Sequence, residues 1–340
     1  MVERIFRIIN IIALGWVLVV ILSGAYVRLS HAGLGCPDWP GCYGHITVPS
    51  TAARIDRANA NFPTRPVEPA KAWKEMGHRY LVGLLGVLIL LLVATAFLAY
   101  KSDPPRAWWS LGLLLLVLFQ AELGRLTVTE KLNPVVVTSH LLLGFATLCY
   151  LGLLHFRQRW RSTPARLSYR KSALLLWLAI FVLCAQIALG GWTSANYAAV
   201  VCYDFPSCYN KKWLPESNFK EAFTLSQPVG VNHEHGRMSP AARIAVHMSH
   251  RLGAVITLVL LVSAMVIIAW RAQSRRLKTA LIISLGLLAL QIGLGVSNVV
   301  FGLPLVVAVA HNGAAVLLLL SCLVLAMLLR KEPSYAKSAL

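Results

Sequence analysis

Apolar residues run along this chain in long stretches separated by short clusters of charged and turn-forming residues. One run extends from Ile8 to about Val27, and seven more fall at roughly 78–99, 107–126, 135–155, 172–192, 245–270, 279–299 and 305–329. A helix needs about 20 apolar residues to cross a bilayer. The pattern therefore predicts an all-α integral membrane protein with eight transmembrane helices. The first run is longer than the roughly 7–15 residues of a signal-peptide core, and no A-x-A cleavage site follows it. It is expected to stay as the first helix.

Composition agrees. Of 340 residues, 57% are hydrophobic and 13% charged, against roughly 25% charged in soluble domains. The formal net charge of +19 would suggest nucleic acid in a soluble chain. Here its placement speaks of membrane orientation instead, and nucleic acid is excluded as a partner. Arg157, Arg159, Arg161, Arg166, Arg170 and Lys171 crowd the connection after the fourth span, Arg271, Arg275, Arg276 and Lys278 that after the sixth, and Arg330, Lys331 and Lys337 the tail. The positive-inside rule puts these on the cytoplasmic side. Both termini are then cytoplasmic, and the long loops at about 30–76 and 193–244 face the periplasm across a bacterial inner membrane.

The second half repeats the first. QAELGRLTVTEKLNPVVVTSHLLLGFATL from Gln120 aligns with QIGLGVSNVVFGLPLVVAVAHNGAAVLLL from Gln291, and EMGHRYLVGLLGVLILL from Glu75 with HMSHRLGAVITLVLL from His247. Upstream, CPDWPGC at Cys36–Cys42 matches CYDFPSC at Cys202–Cys208. An even number of spans per copy inserts both copies the same way, as parallel repeats. The expected division is an N-terminal four-helix bundle over 1–155, a basic linker over 156–171, a C-terminal four-helix bundle over 172–330 and a tail over 331–340.

An ionisable side chain inside a membrane points to function, because burying it unpartnered is costly. His78 and His250 open spans 2 and 6, and His140 and His311 lie near the starts of spans 4 and 8. Spans 2 and 4 enter from one side, so His78 can face His140, and His250 can face His311 likewise. Two neutral imidazoles from opposed helices suit the two axial positions of haem iron. A structural zinc would need four ligands, and neither pair has a Cys or carboxylate to complete a set. The simpler alternative, hydrogen bonding between helices, explains one histidine better than four at matched depth. Arg79 and Arg251 follow the first histidine of each pair, where a guanidinium can bind a haem propionate or merely snorkel. His247, one turn before His250, is a rival ligand. His31, His45, His155, His233 and His235 are read as solvated or interfacial.

Glu75 breaks the symmetry. It shares the helical face of His78, and His247 stands in its place in the other half. A carboxylate beside one site only suggests that one pocket does chemistry, with Glu75 moving protons, while the other transfers electrons. An interfacial ion pair with Lys74 or Arg79 is the plainer alternative. Glu122 and Arg125, one turn apart, predict a local pair. Cys149, Cys184 and Cys322 fall within spans and read as packing. Cys36/Cys42 and Cys202/Cys208 sit in the outer loops, where an oxidising periplasm favours disulfides, either structural or redox-active.

These residues resemble the haem A synthase family over nearly the whole chain. The most specific pieces are RLSHAGLGCPDWPGCYG (Arg28–Gly44), EMGHR (Glu75–Arg79), TVTEKLNPVVVTSHL (Thr127–Leu141), MSHR (Met248–Arg251) and AHNGAAVLL (Ala310–Leu318). The resemblance implies oxidation of the C8 methyl of haem O to the formyl group of haem A, for terminal oxidases. It implies haem b as cofactor on His250 and His311, haem O as substrate on His78 and His140, and Glu75 as a catalytic carboxylate. Cys36 and Cys42 match the family's outer-loop pair in bacterial members. Expected partners are membrane lipid, a haem O-producing farnesyltransferase and an unidentified electron donor, with a homo-oligomer allowed for. The chief alternative is a quinol-linked di-haem b cytochrome that leaves its haems unmodified. A transporter with parallel repeats would carry no haem.

Overall fold

The computed structural model describes residues 1–159, 170–228 and 230–330. Most of the expected 156–171 linker and the whole 331–340 tail lie outside them. Among the described residues the chain is all-helical, with ten helices: α1 Val2–Leu29, α2 Ala52–Asn61, α3 Pro69–Leu98, α4 Pro104–Thr129, α5 Pro134–Arg159, α6 Arg170–Ala195, α7 Phe219–Ala222, α8 Pro240–Ala269, α9 Arg275–Val300 and α10 Leu305–Leu329. Eight of these are long and apolar enough to cross a membrane, as the pattern predicts. The short α2 and α7 lie in the long loops and have no counterpart among the apolar runs.

Proline marks where spans begin. Pro69, Pro104, Pro134 and Pro240 are the first residues of α3, α4, α5 and α8, and Pro304 caps α10. The first turn needs no intrahelical N–H, so proline costs nothing there. Ser239 and Ser274 accept hydrogen bonds from the N–H groups of Ala242 and Leu277 and so cap α8 and α9. Because α3 starts at Pro69, Glu75 and His78 lie well inside the helix rather than opening it. His250, inside α8 from Pro240, stands likewise.

Helices α1, α3, α4 and α5 pack in a cycle, and α6, α8, α9 and α10 pack with α6 against α10. The two groups meet where α1 and α5 touch α10 and α5 touches α6. Large side chains fill the interior, including Phe6, Ile89, Leu92, Leu148, Leu151, Leu176, Leu261, Met265 and Ile268, each burying its whole side chain. Apolar residues facing outward, such as Leu90, Leu115, Leu118, Phe181, Ile256 and Ile282, suit lipid. Cys149 and Cys184 line an apolar cleft of about 370 Å³ between α5, α6 and α10.

Counting helices places both long loops on one side, hereafter the loop face. There the halves are tied together. The Arg28 guanidinium donates to the carbonyls of Ser194 and Ala195 at 2.6 and 3.3 Å, capping α6 from the other half. It also lies 4.1 Å from the Tyr197 ring centroid, and His31 stacks on that ring at 5.7 Å. Arg65 pairs with Glu234 at 2.7 Å. Burial opposes ionisation of Glu234, yet the Arg65 contact outweighs it and holds that carboxyl below its ordinary range. On the opposite side, nearly buried Arg106 pairs with Asp103 at 2.9 Å and reaches Glu3 at 3.9 Å.

Candidate functional site

Each histidine of the two predicted pairs lies against a glycine on a neighbouring helix. His78 on α3 meets Gly24 of α1, His140 on α5 meets Gly124 of α4, His250 on α8 meets Gly190 of α6, and His311 on α10 meets Gly295 of α9. Each glycine stands five residues before its helix ends, at Leu29, Thr129, Ala195 and Val300. A Cβ at these glycines would lie 2.9, 3.3, 3.0 and 3.1 Å from the Cε1 of the facing imidazole. The missing side chain is what lets the ring reach the neighbouring helix backbone. All four notches are therefore at one depth, near the loop face. Gly190→Ala is expected to displace His250, lowering haem content and costing about 1–3 kcal/mol of stability through overpacking. Unchanged pigment and melting temperature in that variant would contradict the notch.

Polar groups orient the rings. Gln120 donates to the His140 carbonyl at 2.7 Å, and Gln186 to the His250 carbonyl at 2.9 Å while lying 3.0 Å from its Nδ1. Gln291 lies 3.2 Å from His311 Nε2, and Ser23 Oγ lies 2.8 Å from His78 Nδ1. Both histidines of each predicted pair therefore lie in the same half, near the loop face. The glutamines were missed by sequence reasoning, although a signal was present: QAELG, QIALG and QIGLG each place Gln four residues before the notch glycine.

Glu75 is 5% exposed. Its carboxylate accepts from Arg79 at 2.6 Å and from the N–H of Cys36 at 3.0 Å. The Arg79 alternative is therefore the pairing formed. Arg79 also donates to the carbonyls of Asp38 and Pro40 at 2.9 and 3.2 Å, and to that of Gly41. Arg251 does the same in the other half. It reaches the carbonyls of Asp204, Pro206 and Ser207 at 3.0, 3.3 and 2.7 Å, and that of Cys202 at 2.9 Å. Both guanidiniums, the candidates for pairing with propionates, also clasp a cysteine loop. The loops are closed by disulfides Cys36–Cys42 and Cys202–Cys208. A guanidinium presents its donors in a planar fork, which suits a ring of converging carbonyls. Arg251 keeps its buried Nε without a partner.

His247, at the place of Glu75, is 4% exposed and lies 2.8 Å from the Ala198 carbonyl through Nδ1. That carbonyl only accepts, so Nδ1 carries the proton and the ring is pinned to the end of α6. His250, not His247, occupies the glycine notch. Glu122 and Arg125 form the expected exposed pair at 2.5 Å.

The chemistry these pairs can do follows from their number and type. Among the described residues no group of three or more His, Cys, Asp or Glu converges as a metal-ion site, so each pair offers two imidazoles alone. Porphyrin iron, with four equatorial nitrogens of its own, needs just that. Orphaned buried polar atoms concentrate here: Nδ1 of His140 and His311, and Oε1 of Gln120, Gln186 and Gln291. Unpaired buried polar groups are rare in folded proteins and call for an explanation, and a site shaped around a non-protein group is one. The donor set fits haem.

Fold and site together define a multi-pass membrane protein that carries two buried histidines in each half, at one depth, of a chemistry that fits haem. The sequence profile of the COX15-CtaA family, cytochrome oxidase assembly proteins, matches residues 7–323, and the chain belongs to that family. It is 46% identical to a heme A synthase of Shewanella oneidensis over 91% of this chain and 92% of that protein. It is 27% identical to a heme A synthase of Halalkalibacterium halodurans over 86% of each chain. A Bacillus cereus heme A synthase matches at 31% over 45% of each.

Proposed function

We propose that this protein is a haem A synthase, an oxidoreductase that converts the C8 methyl of haem O to the formyl group of haem A. The observation that carries this reading is the asymmetry between two otherwise matched bis-histidine sites, with buried Glu75 beside one and His247 beside the other. In this reading His78 and His140 hold the haem O substrate in the N-terminal half, 1–155. His250 and His311 hold haem b in the C-terminal half, 172–330. A bound haem b supplies one-electron chemistry.

The protein's own groups do the rest. The four imidazoles orient two porphyrins at one depth. Arg79 and Arg251 hold the disulfide loops against α3 and α8, roofing each site from water. The net change, methyl plus one water to formyl with four protons and four electrons given up, needs an electron acceptor from outside the chain. Glu75, held by Arg79 and the Cys36 N–H, manages protons as the methyl passes through an alcohol and a geminal diol to the aldehyde. The basic connections put both termini in the cytoplasm and the loop face in the periplasm. A substrate with a long isoprenoid tail arrives through lipid, and the farnesyltransferase that makes it is the natural donor.

The quinol-linked di-haem cytochrome is the competing reading. The purified protein is expected to be coloured, with the low-spin spectrum of bis-imidazole haem, and to yield haem A from added haem O in a host lacking that activity. Two stable haems and no new pigment would favour the cytochrome. A colourless protein, expressed with ample porphyrin, would defeat both.

A further inference from the structure

The four notches differ in one respect. Gln120, Gln186 and Gln291 serve three of them, whereas Val20 stands four residues before Gly24 and Ser23 supplies the polar group. Ser23 Oγ lies 2.8 Å from His78 Nδ1 and 2.8 Å from the Val20 carbonyl. A hydroxyl has one proton and two lone pairs. The carbonyl accepts only, so the hydroxyl proton goes to Val20 and Oγ receives the Nδ1–H of His78. That tautomer leaves the lone pair on Nε2, the nitrogen free to bind iron. In the second half the position of Ser23 is taken by Leu189, and the Gln186 side chain meets the His250 ring instead, 3.0 Å from Nδ1. His78 has a single hydroxyl.

We propose that Ser23 is the positioning residue of His78, setting the tautomer that presents Nε2 to iron. The inference rests on the function proposed above and adds to it a residue.

Haem O titration of the full-length protein, followed by absorbance, tests this in wild type, Ser23→Ala, Ser23→Thr and His78→Ala. Outer-shell partners of metal-bound histidines are typically worth 10–100-fold in affinity. Ser23→Ala is therefore expected to bind haem O about 10-fold more weakly and to alter its low-spin spectrum, with Ser23→Thr restoring both. The pigment on His250 and His311 should be unchanged in amount and spectrum. Wild-type affinity and spectrum in Ser23→Ala, with haem O binding lost in His78→Ala, overturns the role of Ser23 alone. Wild-type binding in His78→Ala overturns the site assignment beneath it.

Discussion

Glu75→Gln is expected to cut conversion of haem O to haem A by about 10²–10⁴-fold, the range general acid–base groups supply, while both histidine pairs still take up haem. The amide keeps nearly the shape of the carboxylate. Its oxygen can still accept from Arg79 or from the Cys36 N–H, contacts now at 2.6 and 3.0 Å. Only the charge and the exchangeable proton are removed. Alanine would be a poorer test, because Arg79 would lose its buried counter-charge, and breaking such a pair costs about 3–5 kcal/mol. The measurement is the haem A to haem O ratio in extracted pigment, beside total haem per chain and thermal stability. Near-normal conversion in Glu75→Gln would remove Glu75 from the chemistry and reduce it to a fastening for the first disulfide loop. Lost conversion with lost haem would show that the carboxylate shapes the site instead.

Replacing His250 by alanine should empty the C-terminal site of its haem. In the proposed reading iron there would depend on His250 and His311, and among the described residues no group of three or more His, Cys, Asp or Glu converges to offer a replacement. His247 is not a substitute, since its ring is held at the Ala198 carbonyl and not in the Gly190 notch that His250 fills. The variant should lose the low-spin signal of that site and all conversion, and added imidazole should return part of the colour by filling the space left by the ring. His78→Ala should spare this pigment and lose haem O binding. The two variants thus separate the sites. Equal loss of both pigments in either one would mean that the halves do not bind haem independently.

The legible parts of this protein were those set by periodic chemistry. Eight apolar runs gave eight membrane helices, because a bilayer admits helices whose backbone groups satisfy one another, and a run such as Ile8–Val27 permits nothing else. Helix starts were harder. The run near His78 begins late because Ala70, Lys71, Lys74 and Glu75 are not a continuous apolar stretch, yet the helix extends back to Pro69. Helix ends at the loop face carry polar residues in water, where hydropathy has no signal. The pairing of Cys36 with Cys42 and of Cys202 with Cys208 was legible from spacing and compartment. The hold of Arg79 and Arg251 on those loops was not, because the carbonyls they clasp belong to loops whose path no side-chain pattern records.

From the sequence alone came the number of spans, the internal duplication, the candidate imidazoles, and the single carboxylate that tells the halves apart. Each is a matter of which side chain occurs at which interval, and intervals are read along a chain. Tertiary structure alone decided that Gly24, Gly124, Gly190 and Gly295 receive those imidazoles, that Arg28 of one half caps α6 of the other, and that Glu75 is tied to the Cys36 loop. These are contacts between residues 16 to 167 positions apart, governed by how closely two helix backbones approach. That distance depends on a missing Cβ as much as on any group present, and an absence of atoms gains meaning only once something is packed against it.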